Sequence, residues 1–308
     1  MRVCAISIDL DEIHHYYAIH GLTPPAPGAA HGVYDIALGR YRDFARAHQV
    51  PLTFFTVGAD LQRTGNGARL AELSALGHEL ANHSFDHWYD LSRRPRDQVL
   101  SQIARANDAI FEHTGQRPSG FRAPGYVMND AVYEAVAQAG LAYSSSVFPC
   151  PVYYLAKLGK LAELSLRGRG SESIATGPAV LLAPRKPYRI GKPYWRTGQG
   201  ILELPIQVTP RLRLPVFGTS LMLLGPDLAR RLARSLARQS FINIELHGVD
   251  LLDCHDQLSA LAPHQLDLQL SLERKWQTLS AVVEELRAIG FGFVRLDEAA
   301  AFAARLQN

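Results

Sequence analysis

At 308 residues the chain can bury a large core as one α/β barrel or two modest domains, and 47% hydrophobic with 20% charged residues excludes a disordered chain. The formal net charge of +3 gives nucleic-acid binding no compositional support, and the short basic groups, Arg167 with Arg169 and Arg211 with Arg213, read as solvated faces. Three scattered cysteines, Cys4, Cys150 and Cys254, suit a reducing cytoplasm; Asp9 and Asp11 interrupt any signal-peptide core, and no stretch nears the ~18 apolar residues of a span, so neither export nor a transmembrane segment is expected.

Along the chain, short apolar runs alternate with helix-like stretches. VCAISID (3–9) predicts a strand, EIHHYYAIHG (12–21) a loop, YDIALGRYRDFARAHQ (34–49) a helix, PLTFFTVG (51–58) a strand and ARLAELSALG (68–77) a helix. HELANH (78–83) follows as a very short strand, then a helix from Pro95 to Thr114 whose Val99, Ile103, Ala106 and Ile110 share one face. GFRAPGY (120–126) leads to a helix capped by Asn129 or Asp130 and stopped at Gly140, and LAYSSSV (141–147) is another strand.

Residues 150–238 lose the pattern and read as an insertion over the mouth of the fold, with ILELPIQVT (201–209) as a strand and GPDLARRLARSLARQ (225–239) as a helix inside it. QSFINIELH (239–247) is a strand ending in histidine, ERKWQTLSAVVEELRAIG (273–290) a helix, and FGFVRL (291–296) the closing strand. The alternation predicts a single α/β domain over residues 1–308, a sheet of about seven strands curled into a distorted (β/α) barrel.

In such a barrel the C-terminal strand ends open on one face, and four polar groups fall there: IDLD (8–11), NHSFDH (82–87), FRAPGY (121–126) and ELHG (245–248). His83 and His87, four apart, would share one side of a helical turn and converge on a cation, or serve as cap histidines. Asp9 and Asp11 would share one face of an extended strand. Two histidines with a carboxylate make a hydrolytic, zinc-type ligand set that leaves positions open. Taken alone, RAPGY is a surface turn, and His247 is either a structural strand-end residue or a proton donor.

In this order and spacing the four motifs resemble those of the polysaccharide deacetylases, the NodB-homology group of carbohydrate esterases, from Val3 to about Leu296. The resemblance implies a distorted (β/α) barrel, one divalent metal with Zn2+ expected, and hydrolysis of an acetyl or formyl group from an amino sugar or related amide. It makes Asp9 the general base, Asp11, His83 and His87 the metal ligands with their other ring nitrogens held by acceptors, and His247 the general acid. Arg122 would keep the base ionised, the Gly125 N–H would polarise the acyl oxygen, and Tyr126 would line the pocket.

Two departures bear on substrate. The acids of IDLD are separated by one residue, where common sugar deacetylases have adjacent acids; the spaced form is similar to lipid-linked formamido-arabinose deformylases and cyclic-amide hydrolases. The expected substrate is therefore an amino-sugar glycan, lipid-linked forms included. A non-sugar or cyclic amide is the second option, and an inactive carbohydrate-binding barrel the third. Where many relatives carry an Asp-Trp pair that tunes the catalytic histidine, this chain has Glu203 without a tryptophan; Glu203 or Asp250 could orient His247, and both could equally be surface acids. His14, with the other rings of residues 12–21, and Trp195, Tyr188 and Tyr194 are expected to shape specificity.

Overall fold

The computed structural model describes residues 2–175 and 177–307. In chain order its strands are β1 (Val3–Asp9), β2 (Thr53–Thr56), β3 (Glu79–Asn82), β4 (Gly120–Phe121), β5 (Tyr143–Ser144), β6 (Tyr188–Ile190), β7 (Thr197–Glu203), β8 (Phe241–His247) and β9 (Gly292–Phe293). The helices are α1 (Ile13–Ile19), α2 (Leu38–His48), α3 (Asn66–Ala75), α4 (Arg96–Thr114), α5 (Asp130–Gln138), α6 (Pro151–Leu166), α7 (Gly218–Ser235), α8 (Leu272–Ala288) and α9 (Leu296–Gln307).

All strands join one sheet in the order β6-β7-β5-β4-β3-β2-β1-β8, with β9 also on β1, and every pairing is parallel except β6 with β7. β1 is buried along its whole length, which explains its unbroken apolar run before Asp9. The turn between β7 and β8 draws the sheet round: the Gln207 N–H donates to Asn243 O at 3.0 Å and Phe217 bridges to Glu245. The expected α/β barrel architecture, in distorted and incompletely closed form, is what the chain adopts.

Helices cover the outer face as the apolar spacing dictates. Val99, Ile103, Ala106 and Ile110 of α4 are buried, and Gly115 at φ 71° ends it in the left-handed conformation glycine tolerates. α5 is capped by Asn129, whose Oδ1 accepts the Val132 N–H at 2.9 Å. The largest apolar cluster lies between the sheet and α2, α7 and α8; another packs β4 against α4 and α5.

Several segments differ from expectation. Residues 12–21 are not a loop: Ile13 to Ile19 form α1, with Ile13, Tyr16 and Tyr17 buried. The sheet has nine described strands instead of about seven, because β4 is two residues long and β6 lies within residues read as irregular. β7 starts earlier than expected, at Thr197, and takes a place in the sheet beside β5. Its glycines suggested a loop, yet they allow close approach, since a Cβ on Gly200 would lie 2.7 Å from Ile190 O. α6 was not legible because its exposed positions are as apolar as its buried ones, which erases the usual alternation.

Candidate active site

The register of the parallel strands assembles the site. Asp9, the last residue of β1, pairs with Phe55 on β2 and with His247 on β8, so the acid and the histidine meet across one strand pair. Asp11 follows two residues later, with the intervening Leu10 N–H held by Phe55 O.

His83 lies just beyond β3, and residues 83–87 do not form the helical turn expected from their spacing. Ser84 at φ 63° and His87 at φ 54° adopt the left-handed conformation, each at a cost of roughly 1 kcal/mol or more, and fold the segment back on itself. Asn82 holds that fold: its Oδ1 accepts the Ser84 N–H at 2.7 Å, while its Nδ2 donates to Ile103 O and Asn107 Oδ1, both at 2.8 Å. Convergence of the two rings comes from this loop and not from helical periodicity.

Asp11 Oδ1 is 3.1 Å from His83 Nε2 and 3.1 Å from His87 Nε2. All three atoms are buried, and none makes a hydrogen bond of acceptable geometry among the described residues. Three buried donors turned toward one another without hydrogen bonding fit a shared cation; donor atoms of a tetrahedral zinc site lie ~3.3 Å apart. His83 Nδ1 is 2.8 Å from Arg122 O, which accepts the ring proton and leaves the Nε2 lone pair free for a metal. His87 Nδ1 has no such acceptor among the described residues, contrary to expectation; its ring is held by packing, 4.1 Å from His15 and 4.8 Å edge-on to Tyr89. Burial opposes the Asp11 carboxylate, but His87 and His83 outweigh it and hold its pKa well below the usual carboxylate range.

Arg122, fully buried, spends its fork on the floor of the site. Nη1 donates to Asp9 Oδ1 at 2.5 Å, Nη2 to Ser7 Oγ and Ser145 Oγ at 2.9 and 2.8 Å, and Nε to Ser145 O at 2.7 Å; the guanidinium also lies 4.0 Å from the centre of the Phe55 ring. Burial raises the pKa of Asp9 above the usual carboxylate value although Arg122 opposes the shift. Asp9 Oδ2, the oxygen Arg122 leaves free, is 3.8 Å from His83 Nε2 and faces the ligand group.

His247 faces a carboxylate on its own strand. Its Nδ1 is 3.0 Å from Glu245 Oε1, a charge contact without hydrogen-bond geometry, and its Nε2 is 3.4 Å from Tyr126 OH. Burial works against the imidazolium, yet the Glu245 carboxylate overcomes it and holds the histidine pKa well above the ordinary value. Of the two candidate acids, Asp250 accepts the His247 backbone N–H at 2.8 Å and does not reach the ring. Glu203 is elsewhere, accepting from Tyr133 OH and the Ser146 and Val147 N–H groups. Sequence reading missed Glu245, although ELH carries the signal: residues two apart on a strand share one side.

Gly125 and Tyr126, at φ 59° and 60°, turn the chain over the mouth; a Cβ at Gly125 would come within 2.9 Å of Tyr89. The Tyr126 N–H is taken by Ala123 O, and Gly125 O accepts from Lys157 Nζ at 3.1 Å. His14 is exposed and stacks 4.0 Å from His15, which in turn contacts His87, so it stands at the rim. Trp195 is not brought to the ligand group: it packs edge-on against Tyr194 and lines an open groove of about 610 Å³ with Arg185, Lys186, Arg196 and Arg213.

Residues 39–144 match the family model described as polysaccharide deacetylase, and the resemblance carried by the motifs is thereby borne out. That segment holds His83, His87 and Arg122 but neither acid of IDLD nor His247. A Bacillus cereus peptidoglycan-N-acetylglucosamine deacetylase is 32% identical over 98 residues, 32% of this chain and 44% of the relative. A Sinorhizobium fredii chitooligosaccharide deacetylase is 38% identical over 101 residues, 32% of this chain and 46% of the relative, so the match spans less than half the length of either. A Mycobacterium smegmatis crystal structure of a presumed polysaccharide deacetylase superposes with a TM-score of 0.52 at 17% identity, over 95% of this chain and 93% of the other, and shares the fold.

Proposed function

We propose that the chain is a metal-dependent hydrolase that removes an acetyl or formyl group from the nitrogen of an amino sugar in a glycan, lipid-linked glycans included. The observation that carries this is the convergence of Asp11 Oδ1, His83 Nε2 and His87 Nε2, buried and without hydrogen bonds, beside Asp9. Held there, a divalent ion, zinc by its two-imidazole, one-carboxylate donor set, supplies Lewis acidity at the acyl oxygen and lowers the pKa of a water.

The remaining work belongs to the chain. Asp9 takes the proton of the attacking water at Oδ2, since Oδ1 is committed to Arg122, and its raised pKa suits a base that must hold that proton. In this reading the Gly125 N–H meets the acyl oxygen as negative charge grows on it, the role the motif resemblance gives it. His247, kept protonated by Glu245, delivers a proton from Nε2 to the departing amine, which leaves poorly as an anion. The named activities of the Bacillus and Sinorhizobium relatives support a sugar amide as substrate.

Hydrolysis of a cyclic or other non-sugar amide is the second reading, favoured by the one-residue separation of Asp9 and Asp11. A panel of N-acetyl and N-formyl amino-sugar oligomers, lipid-linked sugars and cyclic amides, assayed with zinc-loaded protein and its Asp9→Asn variant, separates them. Release of acetate or formate from a sugar substrate, lost in Asp9→Asn, is the expected result. Turnover confined to cyclic amides selects the second reading, and binding of sugars without turnover selects the inactive carbohydrate-binding barrel.

A further inference from the structure

An exposed helix in water is normally polar on its outer face. α6 inverts that rule: every exposed position between Pro151 and Leu166 is apolar, glycine or serine, while its Lys157, Lys160 and Glu163 are half-buried at its flanks. Val152, Leu155, Leu158 and Leu166 are 48%, 65%, 37% and 89% exposed and, with Ala162 between them, recur at intervals of three and four, so they form one stripe. The same rim continues into neighbouring loops. Val180 shares a small cavity with Tyr153 and Lys157 of the helix, Arg213 donates to Leu181 O, and Leu182 and Leu212 beside them are 71% and 73% exposed.

Charge is distributed to match. Residues 151–213 hold eleven Lys and Arg against three acids, a net charge of +8 where the whole chain carries +3, so everything else carries −5. One of those acids, Glu203, is buried, and another, Glu163, is paired with Lys160 and Arg167. Beside the ridge, Arg185, Lys186, Arg196 and Arg213 line their open groove with no acid among its lining residues.

We propose that α6 and the adjoining basic loops form a membrane-docking face, with the leucine stripe entering the headgroup region of a bilayer and the flanking cations meeting anionic lipids. Among the described residues no helix is long and apolar enough to cross a membrane, so the contact is interfacial. Apolar leucines beside Arg185, Lys186, Arg196 and Arg213 are the composition such a contact needs, whereas a second copy of this chain would set these cations against one another. The face is also coupled to the site. The Tyr153 ring packs 5.8 Å from Tyr126, Lys157 donates to Gly125 O, and beyond the far end of the helix Ser171 Oγ donates to Ile19 O at the end of α1. Docking there sets the mouth of the site at the bilayer surface, within reach of a lipid-borne substrate.

The inference does not rest on the deacylase reading, since binding is measured without turnover. The full chain is sedimented with vesicles of phosphatidylcholine alone and of phosphatidylcholine with phosphatidylglycerol, over a salt series. The expected result is binding to the anionic vesicles that weakens as salt rises, and weakens about 10-fold or more in each of Leu155→Glu and Leu166→Glu. Both leucines are exposed, so thermal unfolding of the variants should match the parent. Failure to bind either vesicle overturns the proposal, as does binding unaffected by both substitutions. A dimeric parent that becomes monomeric on Leu155→Glu, with no vesicle binding, assigns the face to a second copy instead.

Discussion

Glu245 and His247, two residues apart on β8, stand on the same side of the strand and bring a carboxylate oxygen 3.0 Å from the ring Nδ1. The pair raises the histidine pKa, so the protonated ring persists to a higher pH than usual. The stability it contributes is full below the ordinary histidine value and is lost as pH rises through the raised one. Glu245→Gln removes the charge and leaves the shape. The alkaline limb of the activity profile should move to lower pH, with turnover above neutrality falling on the order of tenfold or more. The decline in stability with rising pH over that window should flatten as well. A profile identical to the parent's would remove Glu245 from the positioning of His247.

Arg122 joins β4 to the floor of the site through Asp9, Ser7 and Ser145. Arg122→Met leaves Asp9 buried and unpaired, a change expected to cost on the order of 3–5 kcal/mol in urea unfolding and to abolish activity. Arg122→Lys keeps the charge and loses the fork, so it should recover part of the stability and little of the activity. A lysine variant with the parent's unfolding midpoint and rate would contradict the bonding described here.

Gly218 opens α7 directly against the acid that fixes the His247 backbone: a Cβ there would lie 1.8 Å from Asp250 Oδ2. Gly218→Ala must displace Asp250 and with it the 2.8 Å contact to the His247 N–H. A destabilisation of roughly 1–3 kcal/mol is expected from the overpacking, together with a fall in kcat larger than any rise in KM. Unchanged kinetics would show that Asp250 is free to move without disturbing His247.

The barrel and most of its strands were legible because each strand is short, apolar and followed by a patterned helix, as VCAISID and PLTFFTVG show. The site was legible at the level of residue type and order: IDLD, NHSFDH, FRAPGY and ELHG do come together at the strand ends. What could not be read was how. The His83–His87 convergence depends on two left-handed residues and the Asn82 anchor, which carry no periodic signal. Trp195 joined the expected pocket on residue type alone, whereas its backbone follows β6 to the basic groove. α6 was hidden by an outer face that breaks the pattern used to find helices.

If Asp11, His83 and His87 hold one divalent ion, the metal content of the purified chain depends on those three side chains. Zinc-loaded protein, freed of loose metal by desalting and measured by elemental analysis, should carry one ion per chain. His83→Ala and Asp11→Ala should carry none, and Asp9→Asn should keep its ion while losing turnover. A parent chain that retains no metal, or an Asp11→Ala variant that retains as much as the parent, would show that these side chains do not form the metal site.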